Sequence, residues 1–290
     1  MIPGGQWWVY YGSRSDAFNL YQLSDLHMFN ASCAMEHVHR DIDTIKRDPY
    51  GLAVGTGDYA EFIGHDDPRF DPASLPADLP ARELGRLCAA QSAAVCNLLN
   101  PIRDKLIGIG EGNHEHALML HESQQDMFAE MCRKLQVRNL GYSSIIDLVF
   151  VRVPRLRVPV MLAMKPPAVK NESWRCRIGI HHGFGSCTTP GGKLNKLIQL
   201  MRDFPGCDLV LMGHLHAKLA WRQPPLDADK DCKQIVQHDQ VGMMAGSYLR
   251  SYSEGEPAYS EIRGYSPTAL GMGRVMIRPS DPHRKIEVVT

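Results

Sequence analysis

A two-sheet α/β sandwich with helices on its outside is the fold class this chain predicts, and two observations predict it. Strand-like and helical patterns alternate through the first half, βαβα, and the second half turns strand-rich. That order fits two sheets packed face to face with flanking helices. In addition, five apolar runs each end in a short polar cluster. Strand ends converge on one edge of a sheet, so groups carried there can meet in one pocket. The clusters span residues 25–216 of a 290-residue chain, and one pocket needs all of them, so a single domain over 1–290 is expected.

The elements follow in order. Trp7 to Tyr11 is aromatic and reads as a strand or an N-terminal arm packing on the core. The run 18–24 reads as the first core strand. Residues 32–46 form a helix with Met35, Val38, Ile42 and Ile45 on one face. A second strand lies at 52–54. The stretch 61–80 carries Pro68, Pro72, Pro76 and Pro80 among several aspartates and reads as a long loop. A helix is expected over 83–99, ending before Pro101. A strand at 106–109 and a helix over 116–135 complete the first half. Then 145–153, 158–164 and 175–180 are β-branched and strand-like, with Pro166-Pro167 as a turn. A helix at 194–202, a buried strand at 209–212 and short strands at 275–277 and 286–289 close the chain.

The clusters are Asp25-Leu26-His27, Gly57-Asp58, Gly112-Asn113-His114-Glu115, His181-His182-Gly183 and Gly213-His214-Leu215-His216. Carboxylate, imidazole and carboxamide together suit borderline divalent ions: Mn²⁺ first, with Fe, Zn or Ni also accommodated. Ca²⁺, which prefers oxygen, is not suited. In an extended segment residues i and i+2 point the same way, so Asp25 and His27 can reach one ion and His214 and His216 can split between neighbours. Asp58, a lone carboxylate at a strand end, can bridge two cations. Two divalent ions, less two carboxylates and a bridging hydroxide, leave positive charge that attracts phosphate. In such sites the ions clamp the attacking and leaving oxygens, and hydroxide is available at neutral pH. His114, beside Asn113, can serve as general acid for the leaving oxygen.

Composition narrows the partners. Formal net charge is zero and no long basic run exists, so a nucleic-acid substrate is not indicated by charge. No apolar run approaches the ~20 residues of a membrane span. The N-terminus lacks a basic segment followed by an apolar one, and eight cysteines show no CxxC pair. A reducing cytoplasm with free thiols is expected. The oligomeric state is open.

Asp25-x-His27, Gly57-Asp58-x-x-Glu61, Gly112-Asn113-His114-Glu115, His181-His182-Gly183 and Gly213-His214-x-His216 together resemble, in order, the five blocks of the calcineurin-like metallophosphoesterase superfamily. His182-Gly183-Phe184-Gly185, Thr189 to Asn195, and Gly246-Ser247-Tyr248 through Gly271 resemble a phage and prophage branch of it. The resemblance implies a four-layer β-sandwich of two mixed sheets flanked by helices, the metallo-dependent phosphatase type. It implies one ion held by Asp25, His27 and His216, another by Asn113, His214 and a His of the fourth block, with Asp58 between them. The fourth ligand is His181 as the first His after the strand, or His182 as the His followed by Gly. The resemblance favours His181, with His182 lining the pocket. The implied activity is two-metal hydrolysis of phosphate esters, as a phosphodiesterase, nuclease or phosphatase with Asp58 and His114 in catalysis. A non-catalytic metal-binding scaffold on the same fold is the alternative.

Around these blocks, Glu61 and Glu115 could orient ligands, Lys193 and Asn195 could touch substrate, His65 could overhang the site, and Tyr248 and Arg250 could contact phosphate. Surface or packing roles compete for each of them.

Overall fold

Two sheets meet face to face in the computed structural model, which describes residues 1–290 except 65–66, 68–69, 77–78, 122–125, 167–171, 230, 253–266 and 290, and the side chains of 118–121. His65 and Pro167 lie outside the described residues.

The smaller sheet contains β2 (Phe18–Leu23), β3 (Gly51–Gly55), β4 (Leu106–Ile109), β13 (Gly273–Ile277) and β14 (Ile286–Val289), in the order β14-β13-β2-β3-β4. Strands β2, β3 and β4 run parallel, and β13 pairs antiparallel with β2. The larger sheet has seven strands. They are β1 (Ile2–Tyr11), β5 (Ser143–Arg152), β6 (Val160–Ala163), β7 (Ser173–His181), β8 (Leu209–Met212), β9 (Leu219–Gln223) and β12 (Gln240–Met244), in the order β6-β1-β5-β7-β8-β12-β9. Here β7, β8 and β12 are parallel. A two-stranded ribbon, β10 (Leu226–Ala228) with β11 (Ile235–Gln237), stands apart.

The core between the sheets is a wall of alternate apolar residues. Phe18, Leu20, Leu52, Val54, Ile107, Val275 and Ile277 face Val9, Ile146, Leu148, Phe150, Ile178, Leu209, Leu211 and Val241, all buried. At roughly 1.5–3 kcal/mol for each fully buried large side chain, this layer is the main stabilising term. The outer face of the small sheet is covered by α1 (Met35–Arg47), α2 (Leu87–Leu99) and α4 (Met127–Leu135). α5 (Pro190–Asp203) covers the large sheet through Leu197, Leu200, Met201 and Phe204. The four layers expected from the sequence are thus present, as a mixed α+β fold.

Several boundaries differ. The aromatic run at Trp7 is inside β1, which pairs along its length with β5. The helix expected over 83–99 begins at Leu87, after a 3₁₀ segment Ala81–Arg86, and a further 3₁₀ segment Asn100–Lys105 carries Pro101 at its start. Proline fits there because an early helical N–H has no partner to lose. The helix expected over 116–135 is two helices, α3 (Asn113–His121) and α4, the latter capped by Asp126. No helix among the described residues is long and apolar enough to cross a membrane.

Candidate metal centre

Every one of the five clusters follows the C-terminal end of a parallel strand. Three follow β2, β3 and β4 of the small sheet, and two follow β7 and β8 of the large one. The site is therefore built across the seam between the sheets, where parallel strands from both sides end on one edge.

The local backbone there is not extended. Asp25, His27, Asp58, His214 and His216 have φ of 53°, 48°, 55°, 68° and 48°. These left-handed conformations cost L-residues roughly 1–2 kcal/mol each, with Asp and His among the more tolerant. Asp25 and His27 converge because of these turns and not through strand alternation. The turns are held by their neighbours: Asp25 N–H donates to Gly57 O at 3.0 Å and His27 N–H to Asp58 O at 3.1 Å. His214 N–H donates to the Asp25 carboxylate at 3.0 Å. Close approach does the rest. A Cβ on Gly112 would lie 2.1 Å from Asp58 Oδ1, and one on Gly213 would lie 2.1 Å from Ser24 Oγ, so neither position admits a side chain unchanged.

Donor atoms gather in three overlapping groups. Asp25, His27 and His216 form one; Asp58, His182 and His214 form another; His27, Asp58 and His114 form the third. Within each, the donor atoms lie within 4.8 Å of one another. His216 Nε2 stands 3.3 Å from Asp25 Oδ1 and 3.2 Å from His27 Nε2. Asp58 Oδ2 is 3.2 Å from His182 Nε2 and 4.0 Å from His27 Nε2, so it sits between the first two groups. Asn113 Oδ1 is 3.0 Å from His182 Nε2.

Hydrogen bonds on the far side of each ring fix its orientation. His27 Nδ1 meets Glu61 Oε1 at 2.9 Å, and His182 Nδ1 donates to Thr56 O at 2.8 Å. Both rings then present Nε2 to the cluster. His214 Nε2 is taken by Gly185 O at 2.9 Å, which leaves Nδ1 as its inward donor atom. His114 Nδ1 meets Glu61 O at 2.6 Å, and its N–H donates to Asp58 Oδ1 at 3.0 Å. Glu115 accepts from the N–H groups of Gly112, Asp58 and Tyr59 at 2.8–2.9 Å and ties the β3 and β4 loops together. Glu61 and Glu115 therefore touch site residues and are not surface positions.

Electrostatics match this crowding. Burial alone would raise Asp25 and Asp58, but His216 for the first and His182 for the second hold both carboxyls below their usual range. Burial pushes His27 and His182 down. Glu61 for His27 and Asp58 for His182 more than offset it, lifting both to about 9. Burial and the nearby Asp58 charge lift Glu115 to about 7.

The fourth block differs from the favoured expectation. His182 is buried in the cluster, whereas His181 lies outside the three donor groups. His181 ends β7 with its ring edge-on to Tyr142 and Phe184, and its Nδ1 accepts the Gly183 N–H at 2.9 Å. Burial and the neighbouring His182 push it down to about 4. The sequence signal was the His-Gly step: Gly183 at φ 129° packs against His214 and Gly213, so the residue before it is the one carried into the turn. Asn113 and His114 open helix α3 and are not extended. The His114 ring reaches the cluster through the contacts above. Tyr248 and Arg250 do not face the site: Tyr248 is buried with its hydroxyl on Asp41 at 2.9 Å, and Arg250 pairs with Glu36. The Tyr248 segment does support the site from behind, since its N–H donates to Asp25 O at 3.0 Å. Asn195 is exposed on α5.

The donor set fits divalent cations. Asp25 and Asp58 are almost fully buried, and among the described residues no lysine or arginine pairs with either. Two buried carboxylates crowded by imidazoles and a carboxamide form the mixed oxygen and nitrogen donor set that borderline divalent ions take.

No family model and no curated protein matches the chain. Solved structures similar to it include a conserved Streptococcus pneumoniae protein titled a predicted phosphoesterase, at 12% identity and a TM-score of 0.32, covering 90% of this chain and 84% of that one. Wild-type Vps29 from Entamoeba histolytica, complexed with Zn²⁺, matches at 13% identity and a TM-score of 0.41, covering 94% and 98%. The Haemophilus influenzae NAD nucleotidase matches at 8% identity and a TM-score of 0.37, covering 95% of this chain and 49% of that one. Likeness this distant assigns no activity, and the functional reading rests on the site itself.

Proposed function

We propose that this chain is a two-metal hydrolase of phosphate esters, of the calcineurin-like metallophosphoesterase kind. The observation that carries the reading is the position of Asp58 Oδ2 between two imidazole-rich donor groups at a strand-end seam, in a cluster that no described lysine or arginine enters. Asp25, His27 and His216 would hold one ion; Asn113, His182 and His214 would hold the other; Asp58 would touch both. The imidazole-rich set suits Mn²⁺, Fe, Zn or Ni. Bound there, two such ions would supply Lewis acidity toward a phosphoryl oxygen and a nucleophilic hydroxide at neutral pH.

The chain's own residues do the remainder. Glu61 and Thr56 O hold Nδ1 of His27 and His182, so each ring turns Nε2 inward, where loss of its proton would free a lone pair for an ion. Glu115 holds the Asp58 and Gly112 loops in register. His114, anchored through Nδ1, presents Nε2 to the pocket and gives a proton to the leaving alkoxide.

Metal analysis of the purified chain, with turnover of bis-p-nitrophenyl phosphate and p-nitrophenyl phosphate in Mn²⁺, Ni²⁺, Zn²⁺ and Mg²⁺, tests this. We expect two ions per chain and turnover of at least one ester. One ion per chain, or ions bound elsewhere, would sink the assignment. Two ions with no phosphoester turnover would make the chain a scaffold.

A further inference from the structure

Next to His216 in the chain lies a pocket that none of the metal-site residues lines. It is about 170 Å³, lined among others by Thr188, Lys193, Ala217, Lys218, Pro267 and Thr268. At about 30 Å³ per water this is room for some five waters, or for one phosphate group. Its place is fixed by the chain: Ala217 directly follows His216, so the Lys218 Cα lies within about 7.6 Å of the His216 Cα. Thr188 and Lys193, which also line it, belong to the segment that leaves His182 and begins α5.

Among the described residues neither the Lys193 nor the Lys218 ammonium makes an ion pair or hydrogen bond. Asp41, whose charge reaches Lys218, is engaged by Tyr248, the Met272 N–H and Arg40. The two threonines add hydroxyls to the same walls.

Resting on the phosphoesterase reading, we infer that Lys193 and Lys218 bind a second phosphate of the substrate, so that the site favours phosphate esters carrying another phosphate near the scissile one. Lysine suits this task as a point charge for phosphate.

Thymidine 5′-(p-nitrophenyl phosphate) and its 3′-phosphorylated counterpart carry the same scissile bond without and with a second phosphate. With the metal-loaded full chain, kcat/KM should favour the bisphosphate by about tenfold or more. K193A and K218A should each pull that ratio toward one, and K193R with K218R should restore it. No preference in the parent, or an unchanged ratio in the double alanine variant, overturns the inference. If the parent cleaves neither ester, the phosphoesterase reading fails separately, and the pocket is judged on inorganic pyrophosphate binding to the metal-free chain. Weaker binding by K193A/K218A then sustains an anion pocket, and equal binding overturns it.

Discussion

Asp58 is the residue on which the two halves of the cluster depend. Its Oδ1 accepts the His114 N–H, and its Oδ2 faces His182 and His27. Asp58→Asn keeps the shape and removes the charge, so at least one ion should bind more weakly and turnover should fall by orders of magnitude. Folding should survive. Parent-rate hydrolysis of an aryl phosphodiester by this variant would refute the bridge. His114 raises a different question, because its ring belongs to a donor group with His27 and Asp58. If it is the acid, His114→Ala should keep both ions and lower kcat by about 10²–10⁴. The loss should be larger for alkyl than for nitrophenyl esters, because nitrophenolate leaves without a proton. One ion lost per chain would make it a ligand, and equal loss on both esters would end the acid role. At this scale the sequence was legible for residue type and blind to rotamer. It named Asp25, His27, Asp58, Asn113, His214 and His216, which the fold brings together. It favoured His181 over His182, whereas the donor groups hold His182, because two adjacent imidazoles differ only in which one the Gly183 turn carries inward.

Elements show the same division. The parallel strands were readable because each is a short apolar run ending in a polar cluster. Their ends were not, because left-handed turns at Asp25, His27, Asp58, His214 and His216 leave no periodicity to read. Nor did the sequence reveal how those turns are braced. Glu115, on the first turn of α3, accepts three buried N–H groups from two loops. Glu115→Ala would strand all three. At about 1–3 kcal/mol per unsatisfied buried donor, the loss should be at least about 3 kcal/mol. Urea unfolding of the metal-free chain measures it. A change under about 1 kcal/mol would show that water or a neighbour replaces the carboxylate. The start of α4 is marked by Asp126, whose side chain caps it on the Ala129 N–H.

Over the whole molecule, the two sheets are not the two halves of the chain. β1 leaves the N-terminus to pair with β5 in the large sheet, and β13 returns from the far end to flank β2 in the small one. This interleaving was invisible in the sequence, because pattern shows which segments are strands and not which strands are neighbours. It has a consequence in time. Gly273 pairs with Gln22, two residues before the segment that carries Asp25. At about 5–20 residues per second of synthesis, β2 therefore waits roughly 13–50 s with an open edge before its outer neighbour exists. Until then, an exposed apolar strand edge is a template for wrong pairing. Chains ending before Gly273 should accordingly aggregate when made in a cell-free system, while the full chain stays in the supernatant. Equal solubility of the two would show that β2 is sheltered in some other way.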